Sequence, residues 1–198
     1  MDFLDRIRGQ GQIAAVQIEE SALAAVAEFL EQVEAEVGPA TSITRTQLLE
    51  RHLHDSLLVA AAAPHEARIV DVGAGHGFPG VIVALVKPTC HVTLLEQHRR
   101  RAGFLAAVVN RLHVRNVEVV CERAQAWRPA VPYDLVVSRA FGDLSDFIGS
   151  TSHLMREGGR MITVKRTYPA EEIERMPPSH KVSSLDREGR VVTIVAAA

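Results

Sequence analysis

One stretch constrains this chain more than any other: Ile69-Val70-Asp71-Val72-Gly73-Ala74-Gly75-His76-Gly77-Phe78-Pro79-Gly80. A short apolar run breaks into three alternating glycines and restarts at a proline. The pattern predicts a buried strand, a tight loop and the first turn of a helix. Glycine reaches positive φ without steric cost and lets a ligand approach the backbone closely. Pro79 suits a first helical position, where its missing N–H would be unpaired anyway. The N–H groups of such a helix start face the loop and donate to a carboxylate, a phosphate or a sugar edge.

The spacing narrows the ligand. A dinucleotide fingerprint needs glycine at the sixth position of G-x-G-x-x-G. Counted from Gly73 that position is Phe78, and no Gly-Lys-Ser/Thr follows to make a P-loop. What is left, acid-x-Gly-x-Gly-x-Gly at the end of a first strand, resembles the cofactor loop of S-adenosylmethionine-dependent methyltransferases with a Rossmann-like sheet.

The surrounding pattern supports such a sheet. From Arg68 onward strands and helices alternate in units of ~20–30 residues, which implies a mostly parallel sheet with helices on both faces. Expected strands cover 69–72, 92–95, 117–121, 135–138 and 161–165, with helices over 79–86, 99–112 and 144–155. A hairpin of two last strands, 180–185 and 191–195 around a turn at 186–189, adds an antiparallel edge strand. Upstream, residues 1–18 read as an irregular arm or a short helix. Helix spacing then returns over 19–37 (Leu23, Val26, Phe29, Leu30, Val33) and over 46–62 (Leu48, Leu53, Leu57). The expected organisation is an N-terminal helical extension, 1–64, packed on an α/β catalytic domain, 65–198. At 198 residues such a chain buries a core without staples.

Composition excludes several classes. No apolar run approaches ~18 residues and no signal sequence is visible, so a cytoplasmic protein without membrane segments is expected. Cys90 and Cys121 fall at opposite ends of neighbouring strands, which predicts free thiols. No Cys/His set has zinc spacing, and His52 and His54 point to different helix faces, so no metal is expected. Net charge is only −2, but it is unevenly placed. Residues 1–38 carry eight acids against Arg6 and Arg8, whereas residues 98–139 carry eight arginines against three acids. That separation predicts a positive patch suited to nucleic acid.

In an open α/β sheet, ligands sit beyond the carboxyl ends of the strands. The candidates are therefore Gly73, Gly75, His76, Gly77 and Phe78 after the first strand and Glu96 after the second. Arg123, Ala124 and Gln125 follow the third, Ser138, Arg139 and Ala140 the fourth, and Lys165 and Arg166 the fifth. Glu96 stands 23 residues beyond Gly73, the place of an acid that holds ribose hydroxyls. Asp71 is read as a brace for the loop. No nucleophile–base constellation emerges.

Several segments occur in one order: Arg51-His52-Leu53-His54-Asp55-Ser56; Gly77-Phe78-Pro79-Gly80; Leu94-Leu95-Glu96 with Arg100 and Phe104-Leu105; Val137-Ser138-Arg139-Ala140-Phe141; and a lysine closing the fifth strand. Together they resemble the bacterial ribosomal small-subunit methyltransferase G family, also called glucose-inhibited division protein B. The resemblance implies methylation of N7 of a guanine in 16S rRNA with S-adenosylmethionine. It implies cofactor contacts at Gly73, Gly75, Gly77, Phe78, Ala124, Gln125 and Arg139, with Glu96 on the ribose. Arg139 and Lys165 would serve the reaction, gripping phosphate, base O6 or cofactor carboxylate. RNA contacts would fall to Arg100, Arg123, Arg139, Lys165 and Arg166, on a monomer that meets 16S rRNA or the small subunit. Two other readings keep parts of this pattern: a methyltransferase of a small molecule, and a non-catalytic RNA-binding module.

Overall fold

The computed structural model describes residues 2–38, 44, 46, 48–139, 141–165, 167–177, 180–185 and 191–196. The sheet is built from β1 (Arg68–Val72), β2 (His91–Leu95), β3 (Val117–Val120), β4 (Tyr133–Arg139), β5 (Met155–Val164), β6 (His180–Ser184) and β7 (Val191–Ala196). Their order is β3-β2-β1-β4-β5-β7-β6. The first five are parallel, and β7 runs antiparallel to both β5 and β6. The expected class and hairpin are both present. The antiparallel strand is β7, which lies one place in from the edge, with β6 outside it.

Strand order reverses between β1 and β4, so a crevice opens at their carboxyl ends. Both strands are buried on both faces, as parallel sheets require. Ile69, Leu135 and Val137 feed one core and Val70, Val72 and Val136 the other. The second core is closed by α6 (Leu144–Thr151) through Leu144 and Phe147.

The first core is closed by α4 (Gly80–Val86), α5 (Arg99–Arg111) and the N-terminal helices. These are α1 (Phe3–Ile13), α2 (Glu20–Val37) and α3 (His54–Ala62). A π-helical segment, Leu48–Leu53, runs directly into α3. Phe29, Leu30 and Val33 of α2 share this core with Val81 and Leu94, so the extension and the glycine loop are packed on the same apolar mass.

Of the two readings of the N-terminal arm, the helix is the one present, as α1, whose Asp2 side chain accepts from the Phe3 N–H. A side chain at Gly11 would lie 2.8 Å from the Val16 carbonyl, so that glycine serves close packing and not a break. One later boundary differs from the periodicity. The helix expected over 144–155 ends at Thr151, and β5 begins at Met155. Tyr133 pairs with Met155 but Leu135 pairs with Arg160, so residues 156–159 bulge out of the ladder. The expected turn at 186–189 lies outside the described residues. Both cysteines are free, Cys90 buried and Cys121 exposed.

Candidate active site

The loop after β1 is held from three sides. The N–H groups of Gly73 and Ala74 both donate to the Leu95 carbonyl, at 2.8 and 3.2 Å, tying the loop to the end of β2. The Ser138 hydroxyl donates to the Val72 carbonyl at 2.7 Å, tying β4 to β1. Asp71 accepts the Gly80 N–H at 2.8 Å and so bridges the strand to the start of α4. Asp71 is therefore the expected brace. Burial pushes its carboxyl up to about 7, more than the Gly80 N–H pulls it down.

The loop glycines serve different ends. All three have positive φ: +71° at Gly73, +58° at Gly75 and +97° at Gly77. A Cβ at Gly77 would stand 2.7 Å from Val81 Cγ2 and 3.0 Å from Phe29 Cζ, so that position is filled from inside. A Cβ at Gly73 would meet nothing within 4 Å. Gly73 opens on free space, as a ligand-facing backbone must.

Two cavities meet at Gly73. The first, about 180 Å³, is lined by Glu96, Gln97, His98, Ala124, Gln125 and Phe141, among others. Glu96 is 2% exposed. Its Oε2 accepts the Gly75 N–H and its Oε1 the His98 N–H, both at 2.9 Å. A carboxylate offers about four lone-pair sites, so two acceptor positions are left for a vicinal diol. Apolar walls at Val72, Leu95, Ala124 and Phe141 suit a purine, and the open face of Gly73 admits the rest of the molecule. The residues present fit S-adenosylmethionine. Gln125 lines the cavity with its amide turned by a bond from Nε2 to Ser150 Oγ at 3.2 Å, which leaves its oxygen and second N–H available.

The second cavity, about 270 Å³, lies between Gly73–Gly75 and the N-terminal helices, with His52, His76, Phe78 and Arg139 around it. Phe78 is buried here, its ring 5.1 Å from Phe29 and 5.1 Å from His52. Arg139 Nη1 donates to His52, 2.7 Å from Nδ1, and Nη2 stands 3.9 Å from the Asp55 carboxylate, which is 1% exposed. Burial, reinforced by Arg139, lowers the His52 pKa to about 3, so the ring is a neutral acceptor. Burial also lowers the His76 pKa. Arg101 lines both cavities.

Lys165 closes β5 as expected, but its side chain is 9% exposed and pairs with Glu172 at 2.8 Å while donating to the Gly142 carbonyl. Arg100 is exposed and pairs with Glu36 of α2 at 3.0 Å, and Arg111 likewise pairs with Glu28. The charge separation along the chain is thus partly closed in space. Arg123 is exposed. Ala140 and Arg166 lie outside the described residues. Among the described residues no metal-ligating cluster forms. Sequence reasoning placed His52 and Asp55 only within a motif. Their partner lies more than 80 residues downstream, and nothing local signals the pairing.

The chain's fold is similar to that of solved methyltransferases. A putative O-methyltransferase from Klebsiella pneumoniae superposes with a TM-score of 0.61 at 14% identity, over 88% of this chain and 90% of that one. Cofactor-bound Rv0187 from MTB gives 0.60 at 20% identity, over 87% and 89%. These likenesses define the fold as the Rossmann-like α/β sheet of class I methyltransferases. A family model described as rRNA small subunit methyltransferase G matches residues 19–194. The protein of that name from Laribacter hongkongensis is 39% identical over 165 residues, 78% of each chain. The one from Enterobacter sp. (strain 638) is 33% identical over 93% of this chain and 89% of its own. The chain belongs to the rRNA small subunit methyltransferase G family (GidB).

Proposed function

We propose that this protein transfers the methyl group of S-adenosylmethionine to N7 of a guanine in 16S rRNA of the small ribosomal subunit. The observation that carries this reading is the way His52, Glu96 and Asp71, around the two cavities and beneath the loop, are already engaged. His52 is a neutral ring whose acceptor nitrogen takes an Arg139 N–H. Both Glu96 oxygens take backbone N–H groups, and Asp71 is sealed beneath the loop. Such a site suits a nucleophile that needs no deprotonation, and guanine N7 carries a free lone pair.

When bound, S-adenosylmethionine supplies an electrophilic methyl on a sulfonium. The residues of this chain do the rest by placement, which can be worth ~10⁵–10⁸ M in effective concentration. Glu96 holds the ribose, Ala124 and Phe141 flank the purine, and the Gly73–Gly75 backbone lies against the methionine end. Arg139 grips the incoming nucleotide at O6 or phosphate. Lys165, held by Glu172, orders the 141–143 loop and with it the Phe141 wall. Arg99, Arg100, Arg101 and Arg123 contact phosphates without reading sequence. The protein works as a cytoplasmic monomer. No helix among the described residues is long and apolar enough to cross a membrane.

The test is incubation with methyl-labelled S-adenosylmethionine and small subunits from a strain lacking the endogenous enzyme. The RNA is then digested to nucleosides. Label in 7-methylguanosine is the expected result. Confirmed cofactor binding with no label in RNA would move the assignment to a small-molecule substrate or a binding role.

A further inference from the structure

We infer that His52 and Asp55 form a clamp that fixes the Arg139 guanidinium at the wall of the second cavity, making His52 a positioning residue for methyl transfer. The clamp joins two parts of the chain that sequence keeps apart. Arg139 is the last residue of β4, where the strand meets the crevice. An arginine there, on a long and rotamer-rich stem, would by itself sample many orientations. Two contacts and burial restrict it. Nη1 donates to His52 at 2.7 Å, Nη2 lies 3.9 Å from Asp55, and the side chain is only 22% exposed.

The holders are themselves held. His52 sits in the π-helical segment, and its carbonyl accepts the Ser56 hydroxyl at 2.6 Å. Its ring packs edge-on to Phe78 of the glycine loop. Asp55 is buried on the first turn of α3. A protonated imidazole would repel the guanidinium and offer no lone pair at Nδ1. Desolvation and Arg139 itself keep the ring neutral across the physiological range. The contact thus runs in one direction, with arginine donating and histidine accepting. Because Phe78 belongs to the cofactor loop and Arg139 to the substrate side, the clamp also fixes the distance between the two reactants, which the transfer step depends on.

The inference rests on the proposed methyl transfer, and two readouts separate the fates of the two. The first is structural and needs no substrate. In protein carrying ¹⁵N-labelled histidine, the His52 Nδ1 resonance should report a neutral, hydrogen-bonded acceptor. It should shift in Arg139→Ala, while that of His54 stays in place. An unmoved His52 resonance overturns the clamp, whatever the enzyme acts on. The second is kinetic. His52→Leu keeps apolar bulk against Phe78 but removes the acceptor, and should lower kcat about as far as Arg139→Ala, with the cofactor KM little changed. The double variant should be no slower than Arg139→Ala alone, because residues acting as one unit are non-additive. His52→Asn, whose side-chain oxygen falls near the Nδ1 position, should recover part of the loss. Losses that multiply in the double variant, or His52→Leu turning over at the wild-type rate, refute the positioning role. A wild-type protein that puts no label into RNA refutes the ribosomal reading instead, and the resonance test still decides the clamp.

Discussion

Replacing Asp71 by Asn should make the stability curves of the two proteins cross as pH rises. Asp71 is fully buried and its carboxyl is raised from 3.8 to about 7. An acid raised on folding gives stability that is fully present below its unfolded pKa and lost as pH climbs through its folded pKa. The window here is therefore pH 3.8 to about 7. Across it the wild type loses about 4 kcal/mol relative to a side chain that cannot ionise. Asparagine keeps an oxygen for the Gly80 N–H. Its amide nitrogen, however, brings two hydrogens to the place where Asp71 Oδ1 is buried without a hydrogen-bond partner and the protonated acid brings one, and an extra unsatisfied buried donor costs ~1–3 kcal/mol. The variant should therefore be less stable by ~2 kcal/mol at pH 4 and more stable by ~2 kcal/mol at pH 8. At this size 2 kcal/mol moves the melting point by about 4–8 °C. Thermal unfolding followed by circular dichroism at half-unit steps from pH 4 to 8 reads both limits, and the titrations of all other groups cancel in the difference. Parallel curves over that range would show that Asp71 ionises normally inside the fold, and the burial argument would be wrong.

Three further outcomes test the site. Gly80→Ala drives a methyl into Leu94 Cδ2 and to 2.7 Å from Asp71 Oδ2, and should cost ~1–3 kcal/mol by overpacking; a melting point within 1 °C of wild type would contradict this. Gly73→Asp should fold nearly normally, since its Cβ meets nothing within 4 Å and aspartate tolerates left-handed φ better than most residues. It should nevertheless lose cofactor binding in a calorimetric titration, and full affinity would place the cofactor elsewhere. Glu96→Gln leaves one of the Gly75 and His98 N–H groups without its acceptor and offers the ribose a donor in place of a lone pair. Cofactor affinity should fall about tenfold or more, in line with ~1–3 kcal/mol for such a loss.

Much of the architecture was legible because it is written in local terms. The apolar runs 69–72 and 92–95 have strand length, glycine follows the first, and Glu96 follows the second; each cue acts over a few residues. The hairpin was readable for the same reason. What escaped depends on partners far along the chain. The choice between arm and helix over residues 1–18 turns on Val16 and Ile18, which press against Gly11. The π-helical turn at Leu48–Leu53 has no periodic signature separate from an ordinary helix, yet it carries His52. Counting arginines overstated the positive patch, because Glu28 and Glu36 on α2 face Arg111 and Arg100 on α5. Lys165 was correctly placed at the end of β5, but Glu172, seven residues on, claims its charge.

The shared core of the N-terminal helices and the glycine loop has a consequence for synthesis. The helices emerge first, but the surfaces that cover Phe29 and His52 belong to Phe78, Leu94 and Arg139, which follow tens of residues later. α3 has only nine residues, and an isolated helix of that length is marginal in water, so the cover over α2 and α3 is complete only when β4 has been made and set beside β1. Long-range closure of this kind slows folding. A nascent chain stalled before Arg139 would expose Phe29, Leu30 and Val33 together, which is the kind of surface that chaperones bind and that aggregates when they do not.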